Sequence, residues 1–161
     1  MKNLMKKINL MVLNKITILL CFVLITFSFL GQVKTDDILG KWLTEKNEAV
    51  VQIFKTNDGK YAGKIIWLKE PLDEKGNPKT DTKNPKPELR NRTILNLVFM
   101  GGFEFNNKEK EWENGIIYDA ETGNTYKARI YLSDKNTLQL RGYIGSPIFG
   151  RTTTWTRKYD K

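Results

Sequence analysis

Short segments that alternate apolar and polar residues constrain this chain more than any other feature. Residues 126–132 place apolar side chains at every second position, and residues 138–144 repeat the pattern from Leu138 to Ile144. A period of two is typical of β-strands with one buried and one exposed face. No window after residue 36 shows a sustained helical period. The pattern therefore predicts strands throughout, with Ile144 on the buried face.

Eight such segments follow one another, and turn sequences such as the Asp-Gly pair at residues 58–59 separate them. They cover residues 40–45, 49–54, 61–69, 97–105, 111–119, 124–132, 137–144 and 149–157. One-sided strands joined by tight turns are typical of an antiparallel meander. Eight strands are enough to close a barrel and remove the exposed sheet edges. The sequence therefore predicts an all-β, eight-stranded antiparallel up-and-down barrel.

Glycine and aromatic residues within the strands bear on the barrel interior. Bulges, bends or close backbone contacts are expected at five glycines, namely Gly63, Gly101, Gly102, Gly142 and Gly150. Five aromatic residues are candidates for the inward face, namely Trp67, Phe99, Phe103, Phe105 and Tyr126. Facing inward, they would either fill the barrel or line a cavity for one small ligand, and the pattern leaves both open.

The first 31 residues differ in kind from the rest. Lysines precede an uncharged run at residues 16–30, and Gly31 follows it. A basic segment followed by about 7 to 15 apolar residues is typical of a secretory signal peptide. Residues 1–31 are therefore predicted to be a signal peptide cleaved near Gly31, and residues 36–161 to form the barrel domain. The predicted product is exported, either to the periplasm or as a secreted protein.

Two alternatives to cleavage stay open. Phe29 stands where a small residue is preferred, so an uncleaved anchor is the first alternative, although the apolar run is shorter than the ~20 residues that span a bilayer as a helix. Lipid modification at Cys21, the only cysteine, is the second, although Leu20 lacks the small size that this requires. No stable membrane span is expected after cleavage.

The amino-acid composition limits the kinds of catalysis and metal binding that the chain can support. The chain has no histidine, and a chain cleaved near Gly31 has no cysteine, which removes the commonest general base, the commonest nucleophiles and the usual zinc ligands. No catalytic residue, metal site or cofactor is predicted. A carboxylate-based hydrolase stays a third alternative, with Asp81 and Asp119 as its candidates.

Charge bears on partners. The leader contains four lysines and no acidic residue, so its removal lowers the net charge from +9 to +5. The remaining charges alternate in sign and form no basic stripe, so no nucleic-acid partner is expected. A monomer is expected, with a homodimer as the alternative.

The two ends of the barrel segment carry a matching pair. Trp42 lies in "GKW" at the start of the first strand, and Arg157 ends the last strand in "TWTR", two residues after Trp155. First and last strands are neighbours in a closed barrel, so an arginine can stack on an indole there. Trp42, Trp155 and Arg157 are therefore predicted to close the barrel floor. The same opening and terminal arginine occur in lipocalins, which these ends resemble.

Three longer motifs carry a more specific resemblance: "DTKNPKPELRNRTIL", "WENGIIYDAETGNTYKA" and "LRGYIGSPIFGRTTTWTR". Together they resemble the bacterial family of domain of unknown function 2147, and the resemblance extends from Gly40 to Arg157. Thr93, Asn96 and Ala120 replace the commoner Pro, Gly and Pro of the family. The resemblance implies an exported lipocalin-like barrel and implies no particular chemistry.

One long connection interrupts the strands. Four of the five prolines lie between Pro71 and Pro87, in a loop of about 27 residues between the third and fourth strands. We predict an ordered lid over one mouth of the barrel. The lid contains Asp81, Asn84 and Pro85, and Asp81 and the arginines hold it down.

Arginine offers a planar fork for an acidic head group. The predicted ligand-binding residues are Arg90, Arg92, Arg141, Tyr143 and Arg151. In the alternative, Asp81 or Glu88 pairs with Arg90 or Arg92 and only fixes the loop. The predicted function is non-enzymatic binding of a small apolar or amphipathic molecule at the cell envelope, and the alternative is a structural or protein-interaction module with a filled barrel.

Overall fold

The computed structural model describes residues 33–159, so the predicted signal peptide and Cys21 lie outside the described residues. Eight strands follow in chain order: β1 (Gly40–Leu43), β2 (Ala49–Lys55), β3 (Tyr61–Leu68), β4 (Val98–Asn106), β5 (Glu111–Asp119), β6 (Asn124–Asp134), β7 (Thr137–Tyr143) and β8 (Arg151–Lys158). Two short 3-10 turns, Pro87–Leu89 and Pro147–Phe149, are the only helical elements of residues 33–159. No helix in that range is long and apolar enough to cross a membrane.

Every strand pairs antiparallel with its neighbours in chain order, and β1 also pairs with β8, so the sheet closes into a barrel. The predicted eight-stranded antiparallel barrel is confirmed. The largest differences are in the bounds of the strands. β6 extends to Asp134, and β8 begins at Arg151 because the 3-10 turn Pro147–Phe149 includes Phe149, where the sequence predicted the strand to begin.

Large side chains fill the centre of the barrel. Trp42, Phe103 and Trp112 have no exposed surface, and Ile130 and Leu138 are equally buried. Aromatic rings meet across the interior, with the Phe105 and Trp112 centroids 4.9 Å apart. Packing of this kind is typical of a barrel filled by its own side chains.

One end of the barrel, here called the closed end, is covered by the segment that precedes β1. The Trp42 indole donates to the Ile38 carbonyl at 2.8 Å, and the Trp112 indole donates to the Thr35 carbonyl at 3.1 Å. Ile38 itself is completely buried. Both buried indole N–H groups therefore have acceptors, and the chain before β1 forms the floor of the barrel.

Arg157 joins the floor to the last strand. Its Cζ lies 4.1 Å from the Trp42 ring centroid. The guanidinium also donates to the carbonyls of Asp37 at 2.6 Å, Leu39 at 2.8 Å and Lys135 at 2.7 Å. Trp155, also predicted for the floor, lies two residues before Arg157 in β8 and further from the closed end. It is buried, and its ring centroid is 6.5 Å from that of Phe99.

Two inward placements predicted from the alternation are wrong. Ile144 is 73% exposed because β7 ends one residue earlier, at Tyr143. Trp67 is 45% exposed because the register between β2 and β3 shifts at Val50/Val51, which changes the alternation along the end of β3.

Glycine is needed where the barrel is tightest. A Cβ on Gly63 would lie 2.7 Å from the Met100 side chain, and a Cβ on Gly115 would lie 2.2 Å from the Phe103 ring. A larger residue at either position would displace a core side chain.

Candidate functional site

The end of the barrel opposite the floor is here called the mouth. The β1–β2 turn, the β5–β6 turn, the β7–β8 loop and the long loop of residues 69–97 all lie there, because antiparallel strands return alternately to the same end. The predicted ligand-binding residues and the predicted lid therefore belong to one end of the molecule.

The long loop is folded although it adds no strand to the barrel. Isolated bridges join Leu72 to Pro78 and Thr80 to Thr93. The backbone N–H of Asp81 donates to the Arg92 carbonyl at 3.0 Å, so the two limbs of the loop run side by side. This pairing brings the Asp81 and Arg92 side chains together.

A buried carboxylate organises the loop. Asp81 has no exposed surface, and Arg92 donates to its Oδ2 through Nε at 2.8 Å and lies 2.7 Å away through Nη2. Asn84 Nδ2 donates to the same oxygen at 2.7 Å, while the Tyr118 hydroxyl donates to Oδ1 at 2.6 Å. We call these four residues the Asp81 cluster. Because Tyr118 belongs to β5, the cluster fastens the loop to the barrel wall.

The cluster also shifts proton affinities. Burial raises the pKa of Asp81, but the hydrogen bonds from Tyr118, Asn84 and Arg92 outweigh burial, so its pKa is below the ordinary range. Burial and the hydrogen bond to Asp81 raise the pKa of Tyr118. Asp81 is therefore a carboxylate at neutral pH, and Tyr118 keeps its proton.

The remaining predicted loop residues support the same arrangement. Arg90 Nε donates to the Asn84 carbonyl at 2.8 Å, and Asn84 Oδ1 accepts from the Lys86 N–H at 2.9 Å. Pro85 lies between them on the surface. Of the pairings that the sequence left open, the structure contains Asp81 with Arg92, and Glu88 forms no ion pair within residues 33–159.

A close contact between two backbone segments also holds the long loop in place. Gly123, in the β5–β6 turn, has φ +77°, and a Cβ there would lie 2.2 Å from the Lys83 carbonyl oxygen. Only glycine permits both the backbone angle and the approach. The loop is therefore held against β5 by side chains and against the β5–β6 turn by backbone.

A groove of about 610 Å³ lies between the long loop and the β1–β2 and β5–β6 turns. Its apolar surface comes from Leu68, Ile94 and Ala120. Its polar surface contains two threonines and residues of both charges, namely Glu48, Lys69, Glu70, Asp73, Lys79, Thr80, Thr82, Lys83 and Glu121. Lys79 lies 3.5 Å from Glu70, so part of this charge is paired within the groove wall. An adjoining hollow of about 510 Å³ is lined by Glu70, Leu72, Asp73, Glu74 and Lys79.

The other predicted ligand-binding residues lie on β7 and β8. Arg141 donates to the Pro147 carbonyl at 2.7 Å, the Thr152 hydroxyl at 2.8 Å and the Ile148 carbonyl at 3.2 Å. Tyr143 is half-buried, and Arg151 is exposed without an ion pair inside the described range. No hydrogen bond or ion pair of residues 33–159 joins these three residues to Arg90 or Arg92, so the structure divides the predicted set into two groups.

The two candidate carboxylates of a hydrolase have structural partners. Asp81 is enclosed by its cluster, and Asp119 accepts from the Glu121 N–H at 2.9 Å and the Thr122 hydroxyl at 2.7 Å within the β5–β6 turn. Within residues 33–159 no three Asp, Glu, His or Cys side chains are placed to bind a metal ion.

Sequence reasoning missed Tyr118 and the groove. Tyr118 is 37 residues from Asp81, and a tyrosine near a strand end gives no local sign of a distant acceptor. The groove residues lie on three separate connections that only the closed barrel brings together.

Comparison with known proteins agrees with this architecture. Protein HP1028 from the human pathogen Helicobacter pylori, described as belonging to the lipocalin family, is similar in structure with a TM-score of 0.63 and 27% sequence identity. The match covers 76% of this chain and 84% of that one. A search of curated proteins found no match.

A family profile gives the more specific assignment. The profile described as "Uncharacterized protein conserved in bacteria (DUF2147)" matches residues 40–157, which extend from the first residue of β1 to Arg157. The matched range includes the barrel, the long loop and the Asp81 cluster. The chain therefore belongs to the DUF2147 family, and its fold is a lipocalin-like barrel.

Proposed function

We propose that this protein is an exported binder of a small amphipathic molecule, which it holds in the mouth groove and not in the centre of the barrel. The groove of about 610 Å³ carries the proposal. Its volume falls within the roughly 300 to 1,000 Å³ of small-molecule sites. Its lining is more polar than is usual for such sites, with three apolar residues beside nine polar or charged ones, and this favours an amphipathic ligand over a purely apolar one. The lipocalin-like fold of the chain supports the same class of function.

The filled barrel interior favours a binding site at the mouth. Trp42, Phe103 and Trp112 fill the centre without exposed surface, so a ligand there would have to displace packed rings. The groove requires no such displacement. The Asp81 cluster and Gly123 hold its outer wall in position before a ligand arrives, which reduces the entropy lost on binding.

The wall chemistry indicates how the ligand is oriented. Leu68, Ile94 and Ala120 form a surface for an apolar chain or ring, and Thr80 and Thr82 offer hydroxyl groups to a head group. Arg92 and Arg141 have other partners, and Arg151 does not line the groove. The acidic head group predicted from the arginines is therefore assigned instead to Lys69 and Lys83, because Lys79 is paired with Glu70.

The packed interior also supports a second candidate, a structural or protein-interaction module of the cell envelope. This module would need no small ligand, because its barrel is complete without one. The two candidates differ in whether the protein carries a ligand.

Native mass spectrometry of the protein purified from its own host, followed by solvent extraction, tests for that ligand. The proposal expects an adduct that the solvent removes, and afterwards binding of the amphipathic dye anilinonaphthalene sulfonate. Absence of both the adduct and dye binding would contradict a binder and favour the packed module.

A substitution in the groove tests the location. Ala120→Phe places a ring in the groove, and we expect it to weaken dye binding at least about tenfold, or about 1.4 kcal/mol. Thr125→Phe is the matched control, because Thr125 is exposed on β6 beside the same turn. Equal dye affinity in the two variants would place the binding site elsewhere.

A further inference from the structure

The β7–β8 loop, residues 144–150, presents the most exposed large apolar side chains of the described residues. Ile144 is 73% exposed, Ile148 80% and Phe149 84%. Single exposed apolar residues are common on soluble proteins, but three within six residues form a concentrated apolar tip, and such patches mark interaction sites.

This exposure is built into a defined loop conformation. Arg141 fastens the loop through its bonds to the Pro147 and Ile148 carbonyls, and the Phe149 N–H donates to the Ser146 carbonyl at 3.2 Å. A Cβ on Gly150 would lie 2.6 Å from the Gly142 carbonyl oxygen, so the base of the loop is packed against β7. The apolar side chains therefore point outward from an ordered support.

The same hydrogen bonds lower the cost of moving the loop from water into an apolar environment. Unpaired backbone carbonyls are costly to transfer from water into an apolar environment. Arg141 satisfies the carbonyls of Pro147 and Ile148, and the Gly150 N–H donates to Pro147 at 3.1 Å. The apolar tip thus has internal partners for the backbone groups that lie beside it.

Charge is distributed unevenly along the chain. Residues 122–159 contain seven Lys and Arg and one acidic residue, Asp134, whereas residues 33–121 contain 15 Lys and Arg and 16 acidic residues. Of these seven cations, Lys135, Arg157 and Lys158 lie at the closed end. Lys127 is paired in register with Tyr143, and Arg151 follows the loop directly. Both cations are exposed. Two carboxylates from earlier in the chain contact β6 and β8, since Glu45 accepts from the Thr154 N–H at 3.2 Å and Glu111 pairs with Arg129 at 3.3 Å. The carboxylates of the mouth groove lie on the other connections and on the β5–β6 turn.

We propose that the β7–β8 loop docks on the surface of an anionic lipid bilayer. Ile144, Ile148 and Phe149 would enter the boundary between head groups and acyl chains, and Lys127 and Arg151 would face the lipid phosphates. An apolar tip flanked by cations matches this surface, which presents anionic groups over hydrocarbon. The inference stands independently of the groove ligand, but both features lie at the mouth, so docking would turn the groove toward the membrane.

A probe at the tip tests the proposal in the full-length chain. Cys21→Ser removes the natural thiol, and Phe149→Cys then accepts the environment-sensitive dye nitrobenzoxadiazole. With vesicles of phosphatidylglycerol and phosphatidylcholine, the expected result is a blue shift of the dye and its quenching by a lipid-borne quencher. Vesicles of phosphatidylcholine alone should give a much smaller response. The probe reads only its own surroundings, so attachment through residues 1–31 does not imitate this signal.

The matched control carries the same dye at Lys108→Cys, in the β4–β5 turn at the closed end, where the Lys108 side chain is 90% exposed. It should respond to neither kind of vesicle. With the dye at position 149, Arg151→Glu should weaken partitioning onto the anionic vesicles about tenfold, and Ile144→Ser with Ile148→Ser should weaken it at least as much.

Three outcomes would overturn the proposal. They are an unchanged dye at position 149 with anionic vesicles, an equal response at position 108, and a blue shift without vesicles that grows with protein concentration. The last outcome would assign the tip to a second copy of the chain.

Discussion

Asp81 shows how one residue can depend on partners from distant parts of the chain. Its carboxylate is fully buried, and burial alone would favour the protonated form. Arg92, Asn84 and Tyr118 together supply enough donors to keep it charged. A substitution that removes the carboxylate charge should therefore leave these donors with weaker or missing hydrogen bonds.

We expect Asp81→Asn to lower the free energy of unfolding by about 2 kcal/mol at pH 7, because it removes the charge opposite Arg92 and turns one of the two acceptor oxygens into a donor. Denaturant unfolding measures the difference. Glu74→Gln is the control, since Glu74 is exposed on the same loop. A difference between Asp81→Asn and Glu74→Gln below measurement error would mean that the cluster does not stabilise the loop.

The pH dependence has a defined sign. The folded pKa of Asp81 is lowered, so its stabilising contribution is complete above the unfolded pKa of about 3.9 and is lost as pH falls through the folded pKa. The stability difference between wild type and Asp81→Asn should therefore be constant from about pH 5 to 8 and should shrink below about pH 4. A difference that shrinks between pH 8 and 5 would contradict this assignment.

Trp42 and Arg157 allow a pairwise test of the predicted barrel closure. A double-mutant cycle with Trp42→Leu and Arg157→Gln, which remove the ring and the charge, should show a coupling energy of about 0.5 to 2 kcal/mol, because the guanidinium stacks on the indole at 4.1 Å. Thermal or denaturant unfolding of the four proteins gives the value. Strict additivity would mean that the stacking contributes nothing beyond the carbonyl bonds of Arg157.

At the scale of the elements, the strands were predictable and the fastening of the loop was not. The prolines between Pro71 and Pro87 exclude a long strand or helix, whatever the rest of the fold does. Tyr118 and Gly123 act on the loop only through tertiary placement, since each meets a residue about 40 positions earlier. A local pattern carries no information about such a partner.

Gly123 and Gly76 have similar positive φ angles, but only Gly123 is in close contact with another segment. Comparing substitutions at the two positions therefore distinguishes the cost of the contact from the cost of the φ angle. Gly123 has φ +77° and meets the Lys83 carbonyl, whereas Gly76 has φ +82° and open space around it. We expect Gly76→Ala to cost about 1 kcal/mol of stability. Gly123→Ala should cost clearly more and should also accelerate amide hydrogen exchange in the long loop. Equal costs would show that the loop yields to the methyl group without penalty.

For the whole molecule, alternation along β6 and β7 was sufficient to predict the barrel because a period of two has few other interpretations. The same alternation misplaced Trp67 and Ile144, since a register shift and a strand end are set by neighbouring strands. It also left open whether the barrel is hollow. That depends on how Phe103 and Trp112 pack in three dimensions.

The predicted cleavage and export of the whole molecule can be tested directly. Intact mass and N-terminal sequencing of the protein from its own host should give a chain that begins at Gln32, because the basic and apolar segments end at Gly31. A chain that retains residues 1–31 would favour the anchor, and a mass increase on a chain that begins at Cys21 would favour lipid modification.

Closure of the barrel has a consequence for the order of folding. Trp42 pairs with Arg157, so the first strand acquires its second neighbour only when the last strand is available. Contacts of such long sequence separation form slowly, because the first and last strands of the barrel must meet before the contact contributes. During synthesis, which starts at the N-terminus, the unpaired edge of β1 would stay exposed until β8 has been made and can pair with it. We therefore expect the barrel to be completed late in folding, and we expect a truncation before β8 to leave an aggregation-prone open sheet.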